Sequence, residues 1–120
     1  MTGLAVLLLL LVTASIPASA QSEIPLSKQA VMEIKNFSEE KTLPELNALL
    51  YDRGNAEIEG YCLGQDLVII RYKANAYSSK QEIASILEDK GFIVYVKENM
   101  TVSDVIHECK SPFVKQIKEH

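Results

Sequence analysis

Cys62, Cys109 and His107 are the side chains of this chain best suited to bond sulfur or a soft metal ion. Two cysteines in an exported protein most often pair. In the chain-entropy model a bridge across a loop of this size stabilises a fold by about 4 kcal/mol. Two other readings stay open. The cysteines could be buried free thiols, or Cys62 and Cys109 with His107 or His120 could hold zinc or copper(I). On a helix His107 and Cys109 stand about 200° apart, which disfavours a chelate, and their spacing is not a zinc pattern. The carboxylates read more plainly. Glu39 and Glu40 could meet a hard ion but suit a solvated loop. Glu57 and Glu59, two apart on a strand, share a face and suit a charged edge better than an acid–base pair. With two histidines and no Ser-His-Asp or Cys-His context, nucleophilic catalysis lacks its parts, so no enzyme is expected. Tyr61, Tyr72 and Tyr77 could line a shallow contact surface or be ordinary strand residues.

Charge and leader bound the setting. The net charge of −4 gives no basic footprint for nucleic acid, which needs clustered Lys and Arg. Leu4 to Val12 is an unbroken apolar run, followed by Pro17 and Ala18-Ser19-Ala20. An apolar core with an Ala-x-Ala exit predicts a signal peptide over residues 1–20, cleaved before Gln21. The apolar stretch is too short to span a bilayer, which takes roughly 20 residues. The mature protein is therefore expected to be secreted or periplasmic, off the membrane once cleaved, and a monomer or weak dimer. Asn36-Phe37-Ser38 and Asn99-Met100-Thr101 are glycosylation sequons, meaningful only in a eukaryotic secretory route.

The elements that must position these residues follow from hydrophobic period. Residues 21–29 read as an irregular arm and 30–97 as one domain. Ala30 to Phe37 alternates as a strand, with Met32 and Ile34 on one face. Thr42 is placed as a helix N-cap with Glu45 at capping-box spacing and Pro44 in the first turn. Leu46, Leu49 and Leu50 share the buried face, and Gly54 ends the helix. Glu57 to Leu63 and Leu67 to Lys73 flank a short Gly-containing turn and read as a hairpin. Its second strand is continuously apolar, hence central. Ser79 and Glu82 open a second helix with Ile83, Ile86 and Leu87 inward, and Gly91 stops it. Phe92 to Val96 is the last strand. Residues 98–120 form a C-terminal extension, with a short helix capped by Thr101 or Ser103. That helix carries Val102, Val105, Ile106 and Cys109 on one side, and a charged terminus follows.

Strand-helix-strand-strand-helix-strand is the order of an α+β, ferredoxin-like split βαβ sandwich, here with an extra C-terminal helix. Two helices on one face of a four-stranded antiparallel sheet are expected. The C-terminal helix is expected across the other face, stapled to the second strand if Cys62 points that way.

Val31 to Lys97 resembles the heavy-metal-associated domain family. Asn36-Phe37 stands where that family has Gly-Met before its metal loop. Leu46, Leu49, Leu50 and Gly54 match its first helix and turn. Leu67-Val68-Ile69-Ile70-Arg71-Tyr72 matches its third strand, and Ser79, Glu82, Ile83, Ile86, Leu87 and Lys90-Gly91-Phe92 its second helix and following turn. The family holds soft metal on a Cys-x-x-Cys loop, but Glu39 and Thr42 occupy those positions here, and copper(I) prefers thiolate. The resemblance therefore implies a non-catalytic module without a metal cofactor. It would bind a protein or ligand through the loop Ser38, Glu39, Glu40, Lys41 and Thr42, where the family meets its partners. The alternative is a copper or zinc carrier using Cys62 and Cys109, with His107.

Overall fold

The computed structural model describes residues 26–116. The expected signal peptide and His120 lie outside these residues.

Among the described residues, five strands and three α-helices follow one another: β1 (Ser27–Ile34), α1 (Thr42–Arg53), β2 (Ala56–Cys62), β3 (Leu67–Lys73), α2 (Lys80–Asp89), β4 (Val94–Val96), α3 (Val102–Glu108) and β5 (Val114–Lys115). A 3₁₀ turn, Leu63–Gln65, joins β2 to β3. The strands form one antiparallel sheet in the order β4-β1-β3-β2-β5. β3 is flanked on both sides and is buried along most of its length, as its unbroken apolar run requires.

The two faces carry separate cores. On one, Leu46 and Leu50 of α1 and Ile83, Ala84 and Leu87 of α2 meet Met32, Ile34, Ile58, Tyr61, Val68 and Ile70. On the other, Val31, Cys62, Leu67 and Ile69 meet Val105 of α3, with Met100, Val102 and Phe113 around them. At about 1.5–3 kcal/mol for each fully buried large side chain, the first core dominates folding. The second is a smaller lid whose anchoring needs help.

A bulge in β2 links the two cores. Ile58 faces Ile70, but Gly60 faces Ile69, so Glu59 is an extra residue in the ladder. Strict alternation from Ile58 would send Gly60 and Cys62 toward α1 and α2. The extra residue reverses the parity. Tyr61 turns into the first core, and Cys62 into the second.

Several boundaries differ from the sequence expectation. β1 starts at Ser27, because Ser27 to Gln29 pair with Lys73 to Arg71 although they are polar and exposed. It ends at Ile34, and Asn36 follows with φ 60°. Thr42 is the first residue of α1 rather than its cap. The sheet gains a fifth strand from the terminus expected to be merely charged. β5 pairs with Gly60 and Tyr61, and the Gln116 N–H donates to the Glu59 carbonyl oxygen, so β2 is not an open edge there. Ile106 points outward from α3, while Val105 is fully buried.

Candidate functional site

Three groups of residues bear on function: the loop before α1, the cysteine pair, and a polar zone of the sheet.

The loop at Ser38 to Thr42 is built from its hydroxyls. Ser38 Oγ accepts from the backbone N–H groups of Lys41 and Thr42, both at 3.2 Å, and so supplies the cap that Thr42 was expected to give. Thr42 Oγ1 accepts from the Ser38 N–H at 3.1 Å and donates to the Asn36 carbonyl at 3.2 Å. Only 8% of Thr42 is exposed. Ser38 and Thr42 therefore shape the loop from within, and Glu39, Glu40 and Lys41 form its outer face.

Glu39 is not simply solvated. Its carboxylate accepts a hydrogen bond from the Tyr61 hydroxyl. Tyr61 is buried, its ring 5.1 Å from that of Phe37. Burial first, then the bond to Glu39 and its negative charge, push the Tyr61 phenol up to about 12. This link depends on the β2 bulge, which sequence reading missed. Of the two readings of Tyr61, Tyr72 and Tyr77, the contact surface is not met, since all three are buried, and Tyr61 and Tyr72 are strand residues: Tyr72 stacks edge-on with Tyr77 at 6.2 Å, and the Tyr77 hydroxyl donates to the Gly54 carbonyl at 2.6 Å. Burial raises the Tyr77 phenol as well.

Cys62 and Cys109 form a disulfide, with Cα atoms 5.8 Å apart. The helix α3 lies over the face opposite α1 and α2 and is stapled to β2. Ser111 Oγ stands 3.8 and 3.6 Å from the two sulfurs and accepts from the Gly64 N–H at 3.1 Å. Gln65 Oε1 accepts from the Lys110 N–H at 3.1 Å, tying the turn before β3 to the segment after α3. His107 is exposed, its Nδ1 2.8 Å from the Ser103 carbonyl oxygen one turn back, and joins no donor set with the cysteines. The soft-metal alternative therefore loses its geometry here: the sulfurs are consumed by each other. Among the described residues no three His, Cys, Asp or Glu side chains are grouped to hold a metal ion.

The polar zone lies on the α3 side of the sheet, beyond the reach of α3. Glu59 Oε1 and Oε2 accept from Gln29 Nε2 at 2.9 and 2.8 Å, and Oε1 also accepts from Arg71 Nε at 3.2 Å. Glu59 is largely shielded, with 14% of its side chain exposed, against 40% for Arg71. The expectation that Glu57 and Glu59 are alike as edge charges is corrected: Glu59 is the bulge residue and an internal partner.

Among the described residues no helix is long and apolar enough to cross a membrane. No protein-family model, curated protein or solved structure matches this chain.

Proposed function

We propose that this protein is a non-catalytic binding module of the split βαβ class, exported to an oxidising compartment, that meets a protein partner through the loop Ser38 to Thr42. The strand-helix-strand-strand-helix-strand order of β1 to β4 supports the fold reading. The disulfide supports the compartment, since such bonds persist where thiols are not kept reduced. The heavy-metal-associated resemblance enters only as rhythm, because no thiolate stands in the loop.

The observation that carries the binding role is the loop's construction. Two hydroxyls and one buried phenol fix it from below, while Glu40 and Lys41 stand free on its crest. A loop held in one shape loses little entropy on binding, and opposed charges at its crest give a partner orientation. The test is capture from the protein's native extracytoplasmic fraction, comparing the wild type with the charge-swapped variant E40K/K41E. A partner bound by the wild type and lost by the variant, with unchanged circular dichroism, supports the proposal. Equal capture of the same partner by both contradicts it.

A further inference from the structure

The sheet zone around Arg71 has a geometry that the loop proposal does not use. β3 places Arg71 and Lys73 on one face, two residues apart. Arg71 is directly opposite Glu57 on β2 and Gln29 on β1. Glu57, Arg71 and Lys73, with Ser27 and Asn55, line an open cavity of about 260 Å³.

Three side chains there are in unequal electrostatic states. Arg71 is held through Nε by Glu59, which Gln29 fixes in turn. Its Nη nitrogens make no hydrogen bond among the described residues, so the edge of the guanidinium that reads carboxylates is oriented and unspent. Lys73 has no ion pair among the described residues, nor does Glu57, although Glu57 sits across from Arg71 at a separation of about 5 Å between Cβ atoms. The cavity thus offers the outer edge of Arg71, whose Nε side is paired with Glu59, together with Lys73 and the Glu57 carboxylate, none of these three bonded to another. A plain anion would meet Glu57 unfavourably, and a plain cation would meet Arg71 and Lys73. A molecule carrying both charges at short range satisfies all three.

We propose that this cavity binds a small zwitterion of the α-amino acid class. Arg71 and Lys73 take the carboxylate, Glu57 takes the ammonium, and Ser27 and Asn55 stand at the rim for the remaining polar groups. The volume leaves room for a side chain beyond the charged groups. The β2 bulge is what makes the arrangement possible, because the extra residue Glu59 braces Arg71 and leaves Glu57 unpaired. These residues are distinct from the loop Ser38 to Thr42, so either proposal can fail alone.

The test is amide chemical-shift titration of the disulfide-intact protein with L-alanine, acetate, methylammonium and inorganic phosphate, each to about 50 mM. L-Alanine is expected to move the amides of Ser27, Asn55, Glu57, Arg71 and Lys73 saturably, with a dissociation constant near 1 mM, at least about tenfold tighter than the other three probes. E57Q should weaken L-alanine about tenfold and tighten acetate, since the repelling carboxylate is gone; R71Q should weaken both. No saturable shift at these amides in the wild type overturns the proposal. So does acetate or phosphate binding as tightly as L-alanine, or an E57Q variant that binds L-alanine like the wild type. The wild-type titration and E57Q decide the matter even where R71Q fails to fold.

Discussion

Tyr61 shows how one side chain joins the core to the proposed contact loop. Its ring belongs to the first core and its hydroxyl reaches Glu39. Removing that hydroxyl in Y61F is expected to cost about 0.5–1.5 kcal/mol at neutral pH, measured by urea unfolding. The pH dependence follows from the raised phenol. The unfolded group loses its proton near 10 and the folded one at about 12. Its stabilising contribution is whole below pH 10 and is lost as pH rises from 10 through 12. Y61F should lack this part of the alkaline loss; identical alkaline profiles for the two proteins would refute the assignment. Gly60 makes a different demand. A Cβ there would lie 2.5 Å from Phe113 Cζ and 2.8 Å from the Val114 carbonyl oxygen, so the strap formed by Phe113 and β5 closes only over a glycine. G60A should expose Phe113 and raise amide exchange across Val114 and Lys115, while exchange in β3 stays slow.

Elements differ in how far the residues announced them. β3 was legible because four consecutive apolar residues, Leu67 to Ile70, are buried on both faces. The α2 cap was nearly legible: Ser79 Oγ accepts from the Glu82 N–H, but Glu82 reaches Ser78 rather than Ser79. Thr101 and Asp104 form the reciprocal capping box of α3. The Ser38 cap was missed because it acts from outside the helix on Lys41 and Thr42, where local patterns place Thr42 itself. The bulge was illegible, since Glu57-Ile58-Glu59 alternates perfectly and only the pairing with β3 shows that Glu59 is extra. β5 is two residues long and carries no period to read.

Two consequences belong to the elements. The carboxyls of Glu82 and Asp104 are held below their usual range by hydrogen bonds from Ser78 and Thr101. The stabilisation is present above the unfolded carboxylate range near pH 4 and is lost as pH falls through the lower folded values. The double variant E82Q/D104N should therefore show a shallower fall in melting temperature between about pH 5 and pH 2, and an unchanged slope would contradict these roles. The disulfide anchors the lid through a separation of 47 residues. The double variant C62S/C109S should lose up to about 4 kcal/mol, with hydrogen exchange rising first in α3 and β5.

At the scale of the whole molecule, the bulge at Glu59 organises three things at once. It turns Tyr61 toward the loop before α1, Cys62 toward α3, and Glu59 toward Arg71. The loop follows the C-terminal end of β1 and the Arg71 cavity sits at its N-terminal end, so the two proposed contact regions occupy opposite ends of the sheet. Hydrophobic period conveyed the order of β1 to β4, because order follows the spacing of apolar residues, while any binding chemistry follows a few side chains that carry no period. The most direct measurement is thiol titration with non-reducing peptide mapping of protein purified without reductant, followed by copper(I) and zinc(II) binding on the same sample. A linked Cys62–Cys109 peptide, no free thiol and no stoichiometric metal is the predicted result. Two free thiols holding one tightly bound metal ion would contradict the account.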